Sequence, residues 1–237
     1  MKATPARLHH GLVIASTAGL LAATPAFAEG PMATDDAGTL DQGGMKIEAV
    51  VSRDDKERGG ELVLGYGLIE NVEIGLSFSR ATDRDPDPAT KFRGTGFGIK
   101  WVPFQNDTGW SLGVSVGYGK TRVDDRENAE RFTEKAYAFS GLATYRFANS
   151  QVLHMNLGSA RVKAQGDSDS VGTWGIGYEF PLRENLKLTL ETYGEEHAGP
   201  DKAIGLRYEI VDGLKVYGSA GRGNDRSFGN LGVAWEF

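Results

Sequence analysis

Reading back from Phe237, large apolar side chains fall at every second position, at Trp235, Val233 and Leu231, with Glu236, Ala234 and Gly232 between them. A period of two predicts a β-strand with one apolar face. Similar aromatic-led exits recur upstream at Tyr66-Gly67-Leu68, Trp101-Val102-Pro103-Phe104, Tyr145-Arg146-Phe147, Tyr178-Glu179-Phe180 and Tyr208-Glu209-Ile210. Each is followed by a short polar turn, at Asn71, Asn106-Asp107, Asn149-Ser150, Arg183-Glu184-Asn185 and Asp212-Gly213, after which alternation resumes. Between these landmarks the pattern predicts about twelve strands. Their centres are Met45 to Arg53, Glu61 to Ile69, Val72 to Arg80, Phe92 to Val102, Trp110 to Lys120, Lys135 to Phe147, Val152 to Arg161, Val171 to Phe180, Leu186 to Gly194, Ala203 to Ile210, Leu214 to Gly221 and Phe228 to Phe237. Most approach the ~9–11 residues with which a tilted strand crosses a bilayer.

The alternation also assigns faces. One face carries Ile74, Leu76 and Phe78; Phe97, Ile99 and Trp101; Leu112, Val114 and Val116; Leu186, Leu188 and Leu190; and Ile204 and Leu206, without a charge among them. The opposite face holds a wall of small residues on the third to fifth strands, Gly75, Ser77, Gly94, Gly96, Gly98, Ser111, Gly113, Ser115 and Gly117. It also holds a belt of mixed charge: Glu73, Lys100, Arg146, Glu179, Lys187, Arg207, Glu209, Lys215 and Glu236. An uncharged outer face is what lipid selects, since a midplane cation there costs about 2–4 kcal/mol. The predicted fold is therefore all-β, a transmembrane antiparallel up-and-down β-barrel, closed because an open sheet edge in lipid leaves backbone groups unpaired. The Tyr and Trp exits form an aromatic girdle. Turns beside them are predicted to be periplasmic, and the connections at the other end to be longer and charged. Leu231, Val233, Trp235 and Phe237 resemble the C-terminal assembly signal of outer-membrane proteins, which implies handling by the outer-membrane assembly machinery.

At the opposite end, Lys2 and Arg7 precede an apolar stretch from Gly11 to Ala23, and Ala26-Phe27-Ala28 offers a small-x-small cleavage site. Residues 1–28 thus read as a signal peptide, 29–44 as a periplasmic N-terminal segment and 45–237 as the barrel, which predicts the outer membrane of a Gram-negative bacterium. A mean hydropathy of −0.34 is the average over two alternating faces, which hydropathy windows miss. There is no cysteine, so disulfides, thiolate nucleophiles and Cys-ligated metals are excluded. Net charge is −6, and removal of Lys2 and Arg7 makes the remainder more acidic, which argues against nucleic acid as a partner. The expected surroundings are outer-membrane lipids and lipopolysaccharide, with a small-molecule solute as the candidate ligand.

The segment Pro31-Met32-Ala33-Thr34-Asp35-Asp36-Ala37-Gly38-Thr39-Leu40 precedes Gly44 and Glu48, and the first full hairpin reads YGLIENVEIGLSFS over Tyr66 to Ser79. Together these resemble the family of outer-membrane transport proteins named for the meta-pathway of phenol degradation. The resemblance implies a small barrel that moves organic compounds across the outer membrane.

The belt charges all lie near the predicted periplasmic turns and admit two readings. They form a selectivity constriction, or a salt-bridged plug, because charges do not sit unpaired in a confined site. Twelve strands spaced ~4.8 Å apart and tilted ~40° give a backbone radius of roughly 12 Å, which long side chains can largely occlude. The small-residue wall is either a solute path or relief from crowding. Enzyme chemistry has little to stand on. After the signal peptide only His154, in VLHMNLG, and His197, beside Glu195 and Glu196, remain, and the HxSNG pattern of outer-membrane phospholipases is absent. The run Asp83, Asp85, Asp87 is interrupted by Pro86 and lacks the glycine and glutamate of a calcium loop. Gly94, Gly96 and Gly98 lie within a strand and do not cradle phosphate. No catalytic, cofactor-binding or metal residue is assigned. The sequence thus predicts a porin-like passive channel for small solutes, organic ones by the resemblance, with a non-conducting structural or surface-interaction barrel as the alternative and a hydrolase last.

Overall fold

The computed structural model describes residues 30–237, so residues 1–28, read from sequence as a signal peptide, and the expected cleavage after Ala28 lie outside the described residues. Twelve strands follow one another: β1 (Met45–Asp54), β2 (Glu57–Ile69), β3 (Val72–Asp83), β4 (Thr90–Phe104), β5 (Gly109–Asp125), β6 (Glu130–Arg146), β7 (Val152–Ala164), β8 (Asp167–Arg183), β9 (Leu186–Glu195), β10 (Asp201–Val211), β11 (Leu214–Gly223) and β12 (Arg226–Glu236). Each pairs antiparallel with its sequence neighbours, and β12 returns to β1, so the sheet is a closed barrel without an edge. At the seam Ile47 faces Trp235 and Ala49 faces Val233. Met45 N donates to Phe237 O at 2.8 Å and Phe237 N to Met45 O at 2.9 Å, carrying the pairing to the final residue.

Burial inverts between the two faces. Phe97, Trp101 and Leu206 are 42%, 51% and 47% exposed, whereas Lys100 and Arg207 are 1% and 3% exposed. Apolar side chains outside and charges inside is the arrangement of a barrel that has lipid as its outer solvent. All outward positions read from the alternation, from Ile74 to Leu206, project from the barrel, and the terminal Leu231, Val233, Trp235 and Phe237 join them. The aromatic exits make a girdle: Trp110 meets Tyr145 at 5.0 Å between centroids, Tyr145 meets Phe147 at 4.7 Å and Trp235 meets Phe237 at 4.7 Å.

Two expectations are corrected. The connections at the end away from the girdle are not long loops: 55–56, 165–166 and 224–225 are tight turns, and the longest runs only from 84 to 89. Gln165-Gly166 and Asn224-Asp225 all take positive φ, the signature of type I′ hairpin turns whose twist matches that of the flanking strands. The charge expected in loops is instead carried by strands that continue beyond the apolar band. β5, β6 and β8 each reach 17 residues, and Asp124 stands in register with Arg131. The second correction concerns residues 30–43. Read from sequence within a periplasmic segment, 29–44, they lie inside the barrel against its inner wall, as the hydrogen bonds below establish.

Candidate functional site

Residues 30–43 form a hoop that starts against β10 and β12 and travels round the inner wall to β2. Arg207 Nε donates to Gly30 O at 2.5 Å, and Asn230 Nδ2 donates to Pro31 O at 3.3 Å. On β9, one carboxylate oxygen of Glu191 accepts from Ala33 N at 2.9 Å, Thr34 N at 3.1 Å and Thr34 Oγ1 at 3.2 Å. On β7, Asn156 mimics a strand backbone: its Oδ1 accepts from Asp35 N at 2.6 Å and its Nδ2 donates to Asp35 O at 2.8 Å. On β6, Thr144 Oγ1 accepts from Ala37 N at 2.8 Å. Gln105 Oε1 then accepts from Thr39 N, Glu73 Oε2 accepts from Leu40 N at 3.1 Å, and Gly43 N donates to Gly67 O at 2.8 Å. A chain of this length spans at most ~50 Å, comparable with the inner circumference of a twelve-stranded barrel.

Glycines on the wall make the room. A Cβ on Gly177 would stand 3.2 Å from Met32 Sδ and from Thr34 Cβ, and one on Gly175 would stand 2.9 Å from Thr34 Oγ1. A Cβ on Gly205 would lie 2.5 Å from Pro31 Cγ, and one on Gly67 would overlap the Asp41 carbonyl. The hoop in turn buries Met32, Thr34 and Ala37, the last against Val102 and Leu142. The TDDAGTL stretch is therefore a docking sequence: nearly every residue in it meets a specific partner on the wall.

The charge belt faces the lumen at every position, and it neutralises itself only in part. Lys100 Nζ lies 3.0 Å from Asp35 Oδ1 and 3.1 Å from Asp36 Oδ1, and Arg146 lies 3.5 Å from Asp36 while donating to Ser111 Oγ at 2.9 Å. These cations answer the hoop's carboxylates. Arg207 and Lys187 meet Glu179 at 2.9 and 3.0 Å, and Lys215 meets Glu236 at 3.1 Å. Glu209 accepts from the Gly213 amide at 3.0 Å in the turn between β10 and β11. The small-residue wall also faces inward. Of its members, Gly75, Ser77, Gly94, Gly96, Gly98 and Ser111 are buried, while Gly113, Ser115 and Gly117 are half-buried.

Sequence reasoning missed Asp35, Asp36, Thr144, Asn156 and Glu191 as parts of this site. The available signal was polar side chains at inward positions beside Gly175, Gly177 and Gly158, where a crowded lumen needs neither. His154 is spent in the same network: its Nδ1 lies 3.1 Å from Thr144 Oγ1 and its Nε2 lies 3.4 Å from Glu179. His197 is exposed in the 196–200 connection. Among the described residues no group of His, Asp and Glu is arranged to hold a metal ion.

Asp35 and Asp36 belong to no spanning strand, and their carboxyls move in opposite directions. Burial pushes Asp35 up to about 6 in spite of Lys100. For Asp36 burial acts upward too, but Lys100, then His154 and Arg146, outweigh it and hold the carboxyl below its ordinary value.

Above the hoop the inner face turns acidic. Asp54, Glu61, Asp83, Glu134 and Asp201 occupy inward positions, and Arg226 bridges Asp54 at 3.5 Å and Asp201 at 2.6 Å. A cavity of about 960 Å³ lies by the β12–β1–β2–β3 wall near this end, lined in part by Ser52, Asp54, Gly59, Ala81 and Asn230. The arrangement can constrict, filter and exclude.

The family described as Uncharacterised conserved protein UCP029691 matches residues 16–236. No curated protein matches the chain. Among solved structures, the KdgM porin in complex with disordered oligogalacturonate is similar with a TM-score of 0.59 at 11% identity, covering 81% of this chain and 99% of that one. The NanC porin has a TM-score of 0.56 at 11% identity, with 81% and 98% covered. The translocator domain of autotransporter NalP from Neisseria meningitidis has 0.54 at 15% identity, with 83% and 90% covered. At these identities the likeness is one of fold, that of outer-membrane β-barrels.

Proposed function

We propose that this chain, which belongs to that conserved family, is an outer-membrane channel through which small solutes pass a constriction made by its own N-terminal hoop. The observation that carries the reading is the double clasp of Lys100 on Asp35 and Asp36. It fixes a polar segment across the charged belt of a barrel whose outer face is apolar. The inward carboxylates above the hoop favour cationic and neutral solutes over anions. An acidic oligosaccharide of the kind that the KdgM complex contains is therefore a poor fit to this lumen. The likeness of the hoop sequence and first hairpin to the phenol-pathway family supports an organic solute. The hydroxyl beside His154 is that of Thr144, which is fully buried and accepts from Ala37 N of the hoop, and this speaks against a hydrolase.

A non-conducting structural barrel is the second reading, favoured by how many wall residues the hoop engages. Reversal potentials of the full barrel in planar bilayers under a salt gradient separate the two. A steady current with cation preference supports the channel, and a membrane that stays silent supports the structural barrel.

A further inference from the structure

On the outer surface of β3 to β7 the apolar band ends at Phe78, Phe97, Tyr118 and Tyr137, and cations begin. Arg80 stands directly opposite Arg93, and Arg93 opposite Arg122. In the neighbouring row Lys120 stands opposite Lys135, and Lys135 opposite Lys163. All six are exposed. Like charges at directly opposed positions on adjacent strands destabilise a sheet. One row further out the chain supplies its own anion: Asp124 sits between Lys91 and Arg131 in register and takes an ion pair from Arg131 at 3.0 Å and from Arg126 at 3.6 Å. Asp124 is the only outward-facing carboxylate on β3–β7 among the described residues, and it is occupied there. Glu61, Asp83 and Glu134 lie at similar heights but point into the lumen, across the wall from these cations. Lys163 lies 5.4 Å over the Tyr137 ring.

Height gives a second, independent observation. From Trp110 in the girdle to Lys120 on the same face of β5 is ten residues, which at ~3.3 Å per residue and ~40° tilt is ~25 Å along the barrel axis. An apolar band of a transmembrane barrel is ~25 Å tall. The rows thus begin where headgroups replace acyl chains, on the side away from the periplasmic turns.

We propose that these two rows dock the phosphate groups of lipopolysaccharide in the outer leaflet, an inference that rests on the outer-membrane reading above. Arginines bind phosphate oxygens in a fork, and lysines add point charge. A phosphate-bearing glycolipid at the wall supplies the anions that the two rows lack.

The test uses the full barrel refolded in non-ionic detergent, with binding followed by native mass spectrometry. The probes are bisphosphorylated lipid A, dephosphorylated lipid A and phosphatidylglycerol. The expected result is at least tenfold preference for bisphosphorylated lipid A over both others, and loss of that preference in a variant carrying Lys120→Gln, Arg93→Gln, Arg122→Gln and Lys135→Gln. Without lipid the variant should melt no lower than wild type, because opposed like charges have been removed. Should it fail to refold, Arg93→Gln alone carries the same comparison with a smaller loss. Equal binding of dephosphorylated lipid A, equal binding of phosphatidylglycerol, or a variant that keeps the preference overturns the proposal. Membrane fractionation separates this from failure of the premise: a barrel found in the outer membrane but lacking the preference overturns the docking surface alone.

Discussion

Lys100 shows how much a single inward side chain decides. Its ammonium is 1% exposed and is shared between two hoop carboxylates. Lys100→Gln leaves Asp35 and Asp36 confined without that partner, and removing one member of a buried pair destabilises by about 3–5 kcal/mol. The expected outcome is release of the hoop at unchanged barrel structure, seen as new protease cleavage within residues 30–43 while the strands stay protected. Protonation acts on the same contact. Asp35 titrates near 6 in the docked hoop and near 3.8 when free, so the docked form binds the extra proton between those values. Docking therefore tightens as pH falls from 7 toward 5, and that gain is lost as pH rises through about 6. Asp36, held low by Lys100, opposes this only below its ordinary range. A spin label at Ala33→Cys, clean because the chain has no cysteine, should show a larger immobilised fraction at pH 5 than at pH 7.5. An unchanged fraction counts against the assignment to Asp35.

At the scale of the strands, alternation made most of the architecture readable. Lipid on one side and a polar lumen on the other impose a period of two that no local propensity disguises. The strand ends away from the girdle were less readable. From Arg122 to Glu134 the chain looks like a charged loop, yet its backbone pairs through to Asp125 and Glu130. Composition reports solvent there, not hydrogen bonding. The hoop was illegible for another reason. Thr34-Asp35-Asp36-Ala37-Gly38 has no period, since its partners are spread over several strands, and Asn156, Thr144 and Glu191 lie more than a hundred residues away in sequence. The face assignment is tested by Ile99→Arg, which puts a cation on the lipid side and should lower the folded yield in lipid vesicles, and by Gly96→Ser, which should fold normally. Phe237→Asp should reduce outer-membrane insertion while export continues, as read from heat-modifiable, protease-resistant barrel in fractionated membranes. Wild-type levels of that species would remove the terminal aromatic from the assembly signal.

Taken as a whole, the molecule is a barrel with two concentric specialisations: an outer wall that passes from aromatic girdle to apolar band to basic rows, and an inner wall whose lower part is closed in by the hoop. In the proposed channel the hoop is the part that decides whether solute passes. Gly177→Val tests it without touching a charge, because the added methyls enter the space of Met32 and Thr34 while the strand gains a residue of high β-propensity. Single-channel conductance of wild type and Gly177→Val in planar bilayers is the direct measurement. A small, steady wild-type conductance that rises several-fold in Gly177→Val, at unchanged strand content by circular dichroism, is the predicted result. Equal conductance in the two proteins, or none in either, would contradict a channel constricted by its own N-terminal hoop.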